Sequence, residues 1–348
     1  MSPDAAQSPT HPVPGPCPGS DPYALPTSPP ACPASPPAVT APPDVVDRLR
    51  AAGCVFAEDE ARLILRTART PEEVETMVRR RVAGLPLEQV VGWAEFRGLR
   101  ISLDPGVFVP RRRTEFLVSQ AVAHATGRRS AAREGRAGAV VVDLCCGSGA
   151  VGAALVAALG PGTVLHAADV DPAAVRCARR NVAGVGGRVY EGDLFAPLPA
   201  ALRGRVDVLA ANVPYVPSDA VALLPSEARD HEPLVALDGG TDGLDVLRRV
   251  AAGAREWLAP GGCVLVETSE RQAARAALAF VRGGLAARLT TSEELDVTVV
   301  VGTAPAAPPG RAAANAPAAL LSPAAPEGRT HGYAAPPPPV PGSKSSTK

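Results

Sequence analysis

Asp143-Leu144-Cys145-Cys146-Gly147-Ser148-Gly149-Ala150-Val151-Gly152 is the stretch on which the reading of this chain turns. The apolar run 139–144 leads into it as a buried strand, and an Ala-rich helical stretch follows. Gly147 and Gly149 let the backbone turn tightly and approach a ligand, and the helix then presents its free N-terminal amides. Twenty residues after Gly149, at the end of a second apolar run (163–168), stands Asp169. A carboxylate there can accept hydrogen bonds from both ribose hydroxyls of an adenosine ligand. A third run, 188–191, leads into Gly192-Asp193-Leu194-Phe195, where Asp193 can accept from an adenine amino group while Leu194 packs on the ring. Gly147-x-Gly149-x-x-Gly152 also fits a dinucleotide fingerprint, so these residues leave NAD, S-adenosylmethionine and a purely structural turn open. Cys145 and Cys146 have no His or Lys nearby in sequence to lower a thiol pKa, and they read as small apolar filler.

Outward from this loop the texture repeats. Further strand-like runs stand at 206–211, 263–267 and 296–301, with a weaker one at 286–290, separated by helical segments. Short apolar strands alternating with helices imply a doubly wound α/β sheet, mainly parallel and covered on both faces. Active sites of such sheets lie at the carboxyl ends of the strands. Residues 44–85 read as a small helical domain. Thr70-Pro71-Glu72-Glu73 is a capping box, Val74, Met77 and Val78 form an apolar face, and Gly84 is a stop. The run Arg79-Arg80-Arg81 reads as a solvated face near a helix C-terminus, with RNA or protein contact as the other reading. Residues 86–113 form a linker, with a hairpin expected around Gly98 and Asp104-Pro105-Gly106, and a helix is expected from Thr114 to about Thr126. Residues 114–303 make up the main domain.

Proline marks the flanks. Of 39 prolines, 15 fall in 1–43 and 11 in 304–348. These tails have too few large apolar side chains to offset chain entropy, and both are expected to be disordered. Ala335-Pro336-Pro337-Pro338-Pro339 can form a polyproline helix, though low complexity explains it as well. The 35 basic and 35 acidic side chains cancel, so there is no strong signal for nucleic-acid binding. No apolar run is long enough to span a bilayer, and no basic-then-apolar secretory signal is visible. The seven cysteines show no paired metal-ligand spacing, which fits a reducing cytoplasm, and no metal site is expected.

The chemistry sits in Asn212-Val213-Pro214-Tyr215, at the end of the fourth strand. An amide or ring-conjugated amino nitrogen is hard to methylate because its lone pair is delocalised. A site must hold the NH2 plane and accept both of its hydrogens. The Asn212 side-chain oxygen can accept one and the Val213 backbone carbonyl the other, with Pro214 fixing the backbone and Tyr215 offering a flat face. This is catalysis by positioning.

The order Asp143–Gly149, Asp169-Val170-Asp171, Gly192-Asp193-Leu194-Phe195, Asn212-Val213-Pro214-Tyr215 resembles the PrmC/HemK release-factor glutamine methyltransferases. Flanking segments agree: Pro86-Leu87-Glu88-Gln89, Glu95-Phe96-Arg97-Gly98 and Val107-Phe108-Val109-Pro110-Arg111 before the loop. Glu232-Pro233, Ala236-Leu237-Asp238-Gly239-Gly240, Asp242-Gly243-Leu244 and Leu258-Ala259-Pro260-Gly261-Gly262 follow it. The resemblance implies a seven-stranded, Rossmann-like methyltransferase sheet with a small N-terminal helical domain. It implies S-adenosylmethionine as donor and a glutamine amide of a peptide-chain release factor as acceptor. By position, Cys145, Cys146, Gly147, Ser148, Gly149, Asp169, Asp193, Leu194 and Asn212 would contact the cofactor. Asn212, Val213, Pro214 and Tyr215 would hold the amide.

The chain departs from the family pattern in three ways. Val213 replaces the first Pro of Asn-Pro-Pro-Tyr, Pro-Arg-Pro-Glu-Thr-Glu becomes Pro110-Arg111-Arg112-Arg113-Thr114-Glu115, and the helical domain is short. The resemblance is therefore to a divergent paralogue. Within enzymes, the same pocket chemistry serves an adenine-N6 or other amino-group methyltransferase. An NAD-dependent oxidoreductase fits the glycines but not Asn212–Tyr215, and a non-catalytic interaction protein is the remaining class. His231 reads as a polar loop residue rather than a base, His124 and His166 as passengers, and Glu267 as a structural or supporting carboxylate.

Overall fold

The computed structural model describes residues 43–131 and 138–306. The expected tails and the proline run lie outside them, except Pro43, which opens the first helix, and 304–306, which follow the last strand.

Three helices, α1 (Pro43–Ala51), α2 (Ala57–Thr67) and α3 (Pro71–Val82), pack Val45, Leu49, Ala61, Ile64 and Val78 into one small core. The α3 cap forms as the sequence suggests on one side: the Thr70 hydroxyl accepts from the Glu73 amide at 3.2 Å. The return bond is displaced by one residue, because the Glu73 carboxylate accepts from the Arg69 amide at 2.6 Å rather than from Thr70. A short helix, α4 (Leu87–Val91), then precedes the hairpin of β1 (Trp93–Phe96) and β2 (Leu99–Ser102). The hairpin turns at Arg97-Gly98 only; Asp104-Pro105-Gly106 is a loop bend without flanking strands.

The main domain follows as α5 (Glu115–Ala131), β3 (Val140–Leu144), α6 (Ala150–Leu159), β4 (Val164–Asp169), α7 (Pro172–Ala183), β5 (Arg188–Glu191) and β6 (Val206–Ala211). It continues through α8 (Ser226–His231), α9 (Asp245–Trp257), β7 (Leu258–Thr268), α10 (Glu270–Arg282), β8 (Ala286–Ser292) and β9 (Val297–Thr303). The seven strands are ordered β5-β4-β3-β6-β7-β9-β8. The first five pair in parallel, and β9 runs antiparallel between β7 and β8. Alternate strand residues enter opposite cores, which is why the strands read as continuous apolar runs. Val142, Leu209 and Val264 meet α9 and α10 through Leu247, Val250 and Phe280. Val141, Val208 and Leu265 meet α5 and α6 through Leu117, Ala121 and Leu155. Strand order reverses between β3 and β6, so the crevice for a ligand opens at their carboxyl ends.

The arginine run departs from its expectation at one residue. Arg81 is 9% exposed and is no part of a solvated face. Its guanidinium donates to Glu60 at 2.6 and 3.0 Å, to the Leu85 carbonyl at 3.0 Å and to Glu227 of α8 at 2.6 Å.

Candidate functional site

A cavity of about 470 Å³ lies at this crevice. Cys145, Cys146, Gly147, Ser148, Asp169, Asn212, Val213, Pro214 and Tyr215 all line it, so residues far apart in sequence converge as expected. Gly149, Asp193 and Leu194 do not line it. Gly149 starts α6 against Ala178 and Val182, Asp193 pairs with Arg249 of α9, and Leu194 is buried in the α9 core.

The cofactor end is held by backbone bonds. Asp169 accepts from the Gly147 amide at 2.8 Å and from the Asp171 amide at 2.9 Å. A carboxylate has about four acceptor positions, so this one stays fixed and retains capacity for two hydroxyl donors. A side chain at Gly147 would meet open space, which is room for a guest against the loop. Asp143, buried beneath the loop, accepts from the Gly152 amide at 2.8 Å, and burial pushes its carboxyl up to about 7. Burial likewise raises Asp169. It also pushes the Cys145 and Cys146 thiols up, so both stay protonated and unreactive. The free acceptors, the open loop and the cavity size fit a nucleoside carrying an amino-acid arm.

The chemical end is built after β6. The Asn212 side chain lines the cavity and has no hydrogen bond among the described residues; nor does the Val213 carbonyl. Both acceptors needed for an NH2 group are thus available side by side. The backbone beyond them is clamped. Gln272 donates to the carbonyls of Tyr215 and Asp242, each at 2.9 Å. The Val216 amide donates to Leu237 at 3.0 Å, and the Gly239 amide to Val216 at 2.8 Å. Gly243 sits at φ +72°, where a Cβ would come within 2.2 Å of the Tyr215 carbonyl oxygen, so this contact requires glycine.

Tyr215 is fixed through its hydroxyl. It accepts from Arg113 at 2.5 Å and donates to Glu267 at 3.1 Å. Glu267, 1% exposed, also accepts from Arg113 Nε at 2.9 Å and from the Thr114 hydroxyl at 2.7 Å. Burial raises the Tyr215 pKa, so the phenol remains neutral. Arg113 thereby gains a physical account: it neutralises a buried carboxylate and steadies the aromatic platform. Glu267 supports the site through these bonds.

Phe108, Arg113, Val170 and Glu227 also line the cavity and were not among the expected site residues. Phe108 falls in a linker segment that carries the resemblance and Arg113 in the adjoining one that departs from it, which was the available signal. Glu227 left none. Its place is set by Arg81 of α3 on one side, while Arg111 grips the neighbouring Glu232 at 2.6 and 2.7 Å on the other. His231 does not line the cavity, His124 bonds the Gly261 carbonyl at 3.1 Å, and His166 meets the Tyr190 hydroxyl at 2.9 Å. Among the described residues there is no cluster of metal-ligating side chains, and no helix is long and apolar enough to cross a membrane.

Comparison with known proteins converges on the same chemistry. A family model described as methyltransferase small domain matches residues 102–223. A release factor glutamine methyltransferase of Mycolicibacterium smegmatis is 38% identical over 241 residues, covering 68% of this chain and 82% of the relative. One from Geobacter sulfurreducens is 35% identical over 237 residues, covering 67% and 78%. A 4-amino-L-phenylalanine/4-methylamino-L-phenylalanine methyltransferase of Streptomyces pristinaespiralis is 39% identical over 197 residues, covering 57% of this chain and 65% of the relative.

Proposed function

The chain belongs to the family of release factor glutamine methyltransferases, and on that premise we propose that it methylates the side-chain amide nitrogen of a glutamine in a peptide-chain release factor, with S-adenosylmethionine as donor. One observation carries the reading: the unengaged Asn212 side chain and Val213 carbonyl stand together in a cavity that also holds Gly147 and Asp169. S-adenosylmethionine supplies a methyl group on a positively charged sulfur.

Every remaining task falls to the chain. Asp169 and the loop through Gly147 hold the nucleoside. Asn212 Oδ1 and the Val213 carbonyl each accept one amide hydrogen, which fixes the NH2 plane and draws electron density toward nitrogen. Tyr215, neutral and tied to Arg113 and Glu267, presents the flat surface on which the amide rests. No histidine lines the cavity among the described residues, and its carboxylates Asp143, Asp169, Asp171 and Glu227 already accept from Gly152, Gly147, Ala173 and Arg81, so positioning is the working device and the amide proton released after transfer passes to water. Substitution of Pro by Val213 preserves the main-chain acceptor.

A second reading has its own support. The Streptomyces pristinaespiralis relative acts on an aromatic amine, and the same two acceptors suit an aminophenyl group. Incubation with labelled S-adenosylmethionine and either purified release factors or 4-amino-L-phenylalanine separates the two. Mass spectrometry should place the label on a glutamine side chain of a release factor. Label on the free amino acid alone would transfer the assignment to the arylamine.

A further inference from the structure

A second cavity, of about 360 Å³, shares Arg113 and Tyr215 with the first. It is bounded by the end of β7, the start of α10 and the β8–β9 hairpin. Glu270, Glu293 and Asp296 line it; all three are exposed, and none has an ion pair among the described residues. Among the described residues Arg113 is the one basic residue lining it, and its charge is answered by buried Glu267 at 2.9 Å. The cavity therefore carries uncompensated negative charge. A second observation points to a guest. Thr268 lines the same cavity and is 3% exposed, and its hydroxyl oxygen is buried without a hydrogen-bond partner among the described residues.

We infer that this cavity is a subsite for a cationic side chain, lysine or arginine, that flanks the methylated residue in the protein substrate. The inference rests on the reading above, that Asn212–Tyr215 holds a side-chain amide. The carboxylates supply the attraction, and the hydroxyls of Ser269, Thr291 and Ser292 along the same wall add acceptors. Arg113 and Tyr215 stand between the two cavities, so a side chain held in one is a near neighbour of a side chain held in the other. An acidic flank would instead meet three like charges.

Calorimetry reads this subsite without turnover. Two peptides are compared, each with alanine in place of the target glutamine, one flanked by arginines and the other by alanines. Wild-type protein should bind the arginine-flanked peptide about tenfold more tightly at low salt, as expected of a few exposed ion pairs. The preference should collapse in 1 M salt and in the double variant Glu293→Gln/Asp296→Asn, whose surface positions leave folding intact. Equal behaviour of the two peptides, whether both bind or neither does, overturns the subsite, as does a preference that survives the double variant. Glutamine-bearing versions then separate the two readings. A binding preference without methylation strikes the proposed function and leaves the subsite standing, while methylation without a preference does the reverse.

Discussion

Arg113 shows how a single side chain re-engineers its surroundings. Where the family pattern has an acid, this chain places a guanidinium against buried Glu267 and the Tyr215 hydroxyl. Arg113→Ala leaves that carboxylate with only Thr114 and Tyr215 as donors among the described residues. The expected cost is about 1–3 kcal/mol in chemical denaturation, with a larger loss in kcat than in donor affinity because the aromatic platform loosens. Asp143 makes a second residue-scale prediction. Burial raises its carboxyl from the ordinary 3.8 of an aspartate to about 7, so the folded state binds a proton that the unfolded state has released between those values. The contribution of this group is fully present below pH 4 and is lost as pH rises through 7. Asp143→Asn keeps an acceptor for the Gly152 amide and removes the titration. Its stability relative to wild type should therefore improve steadily from pH 4 to pH 7, as read by denaturant midpoints; a constant difference would contradict the assignment.

At the scale of elements, the hydrophobic pattern was the strongest signal and the pairing of distant charges the weakest. β6 falls where its run placed it because it is buried throughout and five of its six residues are apolar, and edge strand β5 keeps its expected bounds with only Val189 and Tyr190 partly buried between exposed Arg188 and Glu191. The β7 strand is longer than its expected 263–267, since Pro260-Gly261-Gly262 reads as a turn but continues the strand with a register shift against β6. The α3 cap was legible because Thr70 and Glu73 are local to one another. Thr70→Ala should lower stability by about 1 kcal/mol, measurable as a shift in denaturant midpoint. The Asp193–Arg249 and Arg81–Glu227 pairs join residues 56 and 146 positions apart, and no local pattern announces such contacts. That is why neither the Arg249 partner of Asp193 nor the burial of Arg81 was expected. Asn212–Tyr215 was legible for the opposite reason: its acceptors are adjacent in sequence and need only a strand end to aim them.

Across the whole molecule, the small helical domain and the cavity are mechanically joined. Arg81 bridges Glu60 of α2 and Glu227 of α8, and Glu227 lines the cavity. Arg111 and the Val109 amide hold Glu232 just beyond, the latter at 3.2 Å. Arg81→Ala strands buried Glu60 without its cation, at an expected cost of about 3–5 kcal/mol. Glu227→Gln is milder, since Glu227 is half exposed. It should leave stability within about 1 kcal/mol of wild type while raising KM for the protein substrate more than KM for the donor. Equal effects on both KM values would argue that α8 does not couple the helical domain to the substrate side of the cavity.

The most direct measurement is single-turnover methyl transfer alongside donor binding in Asn212→Ala. Removing one of the two amide acceptors should abolish transfer while calorimetry still detects substantial S-adenosylmethionine binding, because Asp169 and the Gly147 loop are untouched. Turnover near the wild-type rate in that variant would contradict the account.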